Sequence, residues 1–167
     1  LLKAVATTLT AYPAFNAVWN GETLERVDAI NLGVAIDLGD AGLIAPALLD
    51  CANKSVDQLG AELRDLVTRA KAGRLRAPEV SDGTFTLSNY GTSGSRFQTP
   101  IIVQPQVGIL GVGVIEKRVV VVSAGSPLEA NLGDYVAFKP MTTLGFSYDH
   151  RVLDGATADA FCAAVKK

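Results

Sequence analysis

The sequence predicts an α+β fold, a two-layer sandwich in which a mixed β-sheet carries helices on one side. Three observations predict it. Predicted strands outnumber helices, and the helices cluster at particular points in the chain. The 167 residues are 49% apolar and 19% charged, enough to bury one sizeable core. The segment 1–167 therefore reads as one domain, with neither an internal repeat nor a low-complexity linker.

Residues 1–11 alternate apolar and small side chains and run into Tyr12-Pro13, which predicts a helix ending there. Ile30 to Asp37 reads as one strand, followed by a Gly-Asp turn and the apolar run Leu43 to Leu49. Pro46 confines that run to a sheet edge or an irregular strand. The clearest helix is 55–72. Ser55 and Gln58 make a capping-box pattern, and Gly73 stands where a left-handed C-terminal residue belongs. Val56, Leu59, Leu63, Leu66, Val67 and Ala70 form its buried stripe; Asp57, Glu62, Arg64, Asp65, Arg69 and Lys71 read as a solvated face. Strands are predicted at Thr84–Ser88, Pro100–Gln104, Val107–Val114 and Lys117–Val122. A loop follows from Ser126-Pro127 to Gly133-Asp134, then an extended stretch from Tyr135 to Asp149, and a small-residue helix from Ala156 to Val165 closes the chain.

Charge and composition exclude several functions. A net charge of -2 offers no basic stripe for a nucleic-acid backbone. No apolar run reaches the length of a membrane span, and the apolar opening lacks the marks of a signal peptide. A start without Met that already reads as helix implies a piece of a longer protein. Cys51 and Cys162 stand far apart with a single His in the chain, which excludes a Cys/His zinc site and a disulfide framework. Both thiols are expected to be core fillers in a reducing interior, and no metal is expected. A mean hydropathy of +0.27 is high for a soluble domain and is explained by a subunit that buries surface against its own copies.

Chemistry concentrates in Ser147-Tyr148-Asp149-His150-Arg151-Val152-Leu153-Asp154-Gly155. A lone His between Asp and Arg reads by itself as a structural residue. Its position at the end of an apolar strand, with Asp154 at a helix N-cap position and Gly155 permitting a tight turn, points instead to an imidazole at the mouth of a sheet. Gly111 and Gly113 match neither a dinucleotide nor a P-loop spacing, and read as a tightly packed strand. Gly91 to Ser95 fails the serine-hydrolase elbow because position 95 is Ser.

The stretch His-Arg-x-x-Asp-Gly-Ala at 150–156 resembles the motif of dihydrolipoyl acyltransferases, the catalytic core of 2-oxo acid dehydrogenase complexes. Its shorter His-x-x-x-Asp-Gly form is shared with chloramphenicol acetyltransferase. The resemblance continues in order through residues 2–6 and 12–17, Asn31 to Asp37, Gly42 to Pro46, Gly83 to Gly91, Thr99 to Ile102 and Gln106 to Gly111. It covers nearly the whole chain and implies a chloramphenicol acetyltransferase-like fold.

By that resemblance, His150 is the general base on the thiol of coenzyme A, which attacks an acyl-lipoamide thioester. Ser88 stabilises the oxyanion, and Asp154 orients the turn and the imidazole, acting through an arginine. Coenzyme A is expected to contact Asp37, Ser88, Thr92 and Gly113, with Thr92 replacing a Ser found in some relatives. The lipoyl group is expected on a domain outside this chain, since no lipoyl-bearing Asp-Lys-Ala segment occurs in it. The family implies a homotrimer with each site between two subunits, His from one and Ser from its neighbour. It also implies decarboxylase and dihydrolipoamide dehydrogenase partners, and a bacterial cytoplasm or mitochondrial matrix. Against the family pattern the N-terminal part of the domain and the apolar C-terminal tail are missing, and 116–140 is longer than in many relatives, so trimers are the largest assembly expected of this chain. Two alternatives stand beside this reading: a small-molecule coenzyme A-dependent acetyltransferase, and a non-catalytic structural core. The acyl group (acetyl, succinyl or branched-chain) is not legible.

Overall fold

A computed structural model describes residues 1–126, 128 and 133–166. Helices are α1 (Leu2–Ala11), α2 (Val56–Lys71), α3 (Ala77–Ser81) and α4 (Gly155–Val165). Strands are β1 (Ala17–Trp19), β2 (Leu24–Arg26), β3 (Leu32–Val34), β4 (Ile36–Asp37), β5 (Leu43–Ile44), β6 (Ala47–Leu48), β7 (Phe85–Asn89), β8 (Gly108–Val112), β9 (Glu116–Val122), β10 (Tyr135–Met141) and β11 (Leu144–Tyr148). The central sheet has the order β11-β8-β7-β3-β6. It is mixed: β7 runs parallel to β3 and β8, while β11 and β6 are antiparallel at the two edges.

Strand alternation divides this sheet into two faces. Leu32, Phe85, Leu87, Leu110 and Phe146 point to one face and join Val5, Leu9, Phe15, Leu59, Leu66 and Phe161 of the helical side in a single core. Phe161 of α4 lies 4.5 Å from Phe15 and 5.3 Å from Phe146, ring centre to ring centre. Burying an aromatic side chain of this kind stabilises the fold by about 1.5–3 kcal/mol. Gly33, Thr86, Ser88, Ile109, Gly111, Gly145 and Ser147 occupy the opposite face. This is the expected sandwich with helices on one side.

β9 and β10 form a separate two-stranded ribbon. It grows directly out of β8 and β11: Val112 opposes Leu144, and Glu116 opposes Met141. Three residues on one strand span the gap that two residues span on the other, so the root of the ribbon is a β-bulge. Gly113 and Val114 of that bulge are tied by their amides to Thr143 O and Ser95 O, each at 2.9 Å. Beyond it Val119, Val121, Val136 and Phe138 share one exposed face.

Several expectations need correction. Ile30–Asp37 is two strands, because the chain leaves the central sheet after Val34 and pairs Ile36–Asp37 with β5. Pro100–Gln104 is not a strand; its backbone is irregular. Val56 is 69% exposed, since it lies in the first turn of α2 beyond the reach of the core. Arg69 is not a solvated charge: it grips Glu79, whose carboxylate is 2% exposed and also bonds Arg76. The capping box of Ser55 with Gln58 and the left-handed Gly73 (φ +65°) are present as read. Part of the expected 126–134 loop lies outside the described residues.

Candidate active site

His150 follows β11 by two residues, on the turn that enters α4. β11 stays in register with β8 as far as Asp149, whose amide bonds Val107 O at 2.9 Å. Asp154 caps α4, accepting from the Thr157 amide at 2.7 Å. That bond, then the Thr157 hydroxyl, His150 nearby and the Ala156 amide, hold its carboxyl below the usual range against the effect of burial. The imidazole is exposed and rests 5.7 Å from the Tyr148 ring, centre to centre. Arg151 folds back on Asp149 through bonds of 2.6 and 2.9 Å, which keep that carboxylate ionised below its ordinary pKa. Arg151 is thus committed to Asp149, and among the described residues no arginine bonds Asp154.

Ser88 is half-buried on the outer face near the C-terminal end of β7, beside Gly111. The Tyr90 ring lies across the neighbouring strands, and a Cβ at Gly111 would fall 2.4 Å from it. At the same end of β7, Asn89, Gly91, Thr92, Val112, Gly113 and Ile115 line an open cleft of about 310 Å³. Gly91 and Gly113 touch backbone to backbone there, and a Cβ at Gly113 would meet Arg96 O at 2.2 Å. The glycines thus serve close packing. Asp37 extends past the same end of the sheet from β4; its carboxylate accepts from the Gly39 amide at 2.8 Å, and it lines a separate depression with Leu38, Lys71 and Gly73. Cys51 is buried and Cys162 half-buried, both thiols pushed up by desolvation, as expected of core fillers. Among the described residues no group of three metal-binding side chains occurs.

The structure brings Thr92 and Gly113 together in that cleft, places Ser88 and Asp37 at the same end of the sheet, and sets His150 with Asp154 at the other. The register fixes the separation. Asp149 stands opposite Val107 and Ser88 opposite Gly111, four rows apart on strands two places apart. At about 3.3 Å per row and about 4.8 Å per strand, that is ~16 Å between backbones, and His150 lies one residue further. Groups acting on one reacting centre must approach to about 3 Å. One chain cannot bring them together.

A family model for the catalytic domain of 2-oxoacid dehydrogenases acyltransferase matches residues 1–167. The chain belongs to this acyltransferase family. The acyltransferase domain is 37% identical, over 99% of its length, to the dihydrolipoyllysine-residue acetyltransferase component of pyruvate dehydrogenase complex of Corynebacterium glutamicum, and spans 24% of that protein. Among solved structures it matches a probable dihydrolipoamide acetyltransferase from Listeria monocytogenes at TM-score 0.89 and 34% identity, over 99% of this chain and 66% of that one. It also matches the dihydrolipoamide acetyltransferase of Azotobacter vinelandii at TM-score 0.81 and 33% identity, over 98% and 64% of the two chains. In the Azotobacter enzyme a serine, a histidine and an asparagine have a role in the catalytic mechanism. A chloramphenicol acetyltransferase, 15% identical at TM-score 0.50, shares the fold. Among the described residues of the acyltransferase domain, no helix is long and apolar enough to cross a membrane. Sequence reasoning missed the contact of Arg151 with Trp19, whose ring centre lies 5.0 Å from the guanidinium carbon. The two residues are far apart in the chain, so no local pattern could pair them.

Proposed function

We propose that this domain transfers an acyl group between dihydrolipoamide and coenzyme A, at a site shared by two protomers. A thiol of pKa about 8.5 is only slightly ionised at neutral pH, whereas a neutral imidazole can accept its proton. His150 takes the proton from the thiol of coenzyme A as the new sulfur–carbon bond forms. When the tetrahedral adduct collapses, the old sulfur–carbon bond breaks and the proton passes to the departing dihydrolipoamide sulfur. Ser88 of an adjoining protomer donates to the oxyanion. Thr92 and Gly113 bound the cleft that receives coenzyme A, and Asp37, in its separate depression past the same end of the sheet, meets a more distant part of that molecule. Asp154 shapes the turn as a helix cap, acting on orientation alone.

The observation that carries this reading is the placement of an exposed imidazole at one end of the sheet and a hydroxyl beside an open cleft at the other. A cyclic assembly, a homotrimer in this proposal, joins one protomer's His150 end to the next one's Ser88 end. The apolar face of the β9–β10 ribbon, which starts beside the Ser88 cleft, supports such an assembly, because two strands alone bury too little to hold that face in water. Lipoyl groups are delivered from a domain outside this segment. The decarboxylase and dihydrolipoamide dehydrogenase components of a 2-oxo acid dehydrogenase complex complete the partners, and the bacterial relatives support a cytoplasmic setting.

The test is acyl transfer from acetyl-coenzyme A to dihydrolipoamide by the wild type and by His150→Ala. A loss of about 10²–10⁴ in kcat is expected. Undiminished turnover in the Ala variant would remove His150 from the mechanism.

A further inference from the structure

We infer that Trp19 is a positioning residue for His150: its indole face holds Arg151, which pins Asp149 and so fixes the turn carrying the imidazole. This rests on reading His150 as the proton acceptor. Among the described residues no hydrogen bond holds the imidazole itself, and its ring contact is Tyr148. Its direction is therefore set by the backbone on either side, Asp149 and Arg151. Asp149 is anchored behind, in the β11–β8 ladder. On the other side, Arg151 donates its own amide to Asp149 Oδ1 at 3.0 Å and its guanidinium edge to both carboxylate oxygens.

An arginine whose side chain is 59% exposed ordinarily samples many rotamers. This one is held on two surfaces at once. Its N–H edge faces the carboxylate while its guanidinium carbon lies over the Trp19 ring, so both contacts are made at once. The indole is in turn fixed from outside the catalytic turn. Trp19 belongs to β1, outside the central sheet, and its amide bonds Pro105 O at 2.8 Å. Val18 beside it bridges to Gln106, one residue before Val107, the residue that receives Asp149. Trp19 and the His150 turn are thereby braced on one short segment, 105–107. Removing the indole face leaves Arg151 bonded at one edge only and free to swing, and the turn loses its outer wall.

The experiment compares Trp19→Leu, Trp19→Phe and Arg151→Lys with the wild type. Since His150 is the chain's sole histidine, its Cε1–H signal in protein carrying 13C-histidine reports the turn directly, displaced by the Tyr148 ring current. Trp19→Leu is expected to lower kcat about tenfold with KM for coenzyme A within about twofold, and to move the His150 signal toward that of free histidine. Trp19→Phe, which keeps an aromatic face, should return kcat to within about threefold and restore the displaced signal. Arg151→Lys, which keeps the charge and loses the fork, should behave like Trp19→Leu, and it stands in if the latter does not fold. A wild-type kcat and an unmoved signal in Trp19→Leu overturn the inference, as does identical behaviour of the Leu and Phe variants. Should the wild type itself prove inert in acyl transfer, the proposed function falls, and the His150 signal alone decides the positioning role: unmoved in Trp19→Leu, it overturns that too.

Discussion

Two inactive variants should restore each other. His150→Ala and Ser88→Ala each remove one half of the proposed site, and each should retain less than about 1% of wild-type kcat. The halves lie ~16 Å or more apart along the sheet, so a site is built from the His150 of one protomer and the Ser88 of its neighbour. In a cyclic assembly formed from an equal mixture, an intact site needs a Ser88→Ala chain on its His side and a His150→Ala chain on its Ser side. Each has an even chance, so about one site in four is complete. Co-expressed or co-refolded mixtures, with hybrid assemblies verified by chains of different mass, should therefore recover about a quarter of wild-type turnover. Both parents, mixed without exchange of subunits, should stay inactive. Hybrids no more active than their parents would show that His150 and Ser88 serve the same site from the same chain, which the register forbids, or that one of them serves none.

The buried Glu79 gives a pH signature: Arg69 first, then Arg76, hold its carboxyl down to about 2 from an ordinary 4.5, against the opposing effect of burial. A depressed carboxylate stabilises the fold above its unfolded pKa and loses that contribution as the pH falls. Glu79→Gln should thus cost about 2–3 kcal/mol at pH 7, with the difference from wild type in denaturant melts narrowing from pH 4.5 toward 2; a constant gap would refute it. Gly113→Ala drives a methyl group to 2.2 Å from Arg96 O. It should destabilise the domain by about 1–3 kcal/mol in the same melts. Asp154→Ala removes the α4 cap and should cost about 1 kcal/mol, whereas Asp154→Asn, an equally good cap, should leave the melting temperature unchanged.

Legibility followed the range of the interactions. α2 was readable to its caps because Ser55, Gln58 and Gly73 act within a few residues of themselves. α4 and the His150 turn were readable for the same reason, as Asp154 bonds three residues ahead. The break between β3 and β4 was not, because Val34 and Ile36 look alike in sequence and only the partners on either side, β7 and β5, separate them. Arg69 matched a solvated face by period, and its buried partner lies ten residues on, past the end of the helix. The candidate site divides in the same way. His150, Asp154 and Ser88 carry local motifs, and the resemblance supplied their grouping. That the first two stand at the opposite end of the sheet from the third is a fact of strand register.

The bulge at the root of the ribbon separates two kinds of change. Beyond it, residues may be added or removed in opposed pairs and the strands merely lengthen or shorten, leaving Thr92 and the floor of the cleft where they are. A single deletion among Gly113, Val114 and Ile115 acts differently. It would leave two residues facing two, erasing the bulge and its local bend while Val119 and Val121 keep their partners Phe138 and Val136. Length at the tip therefore leaves the cleft untouched, while the bend at its floor depends on a single extra residue.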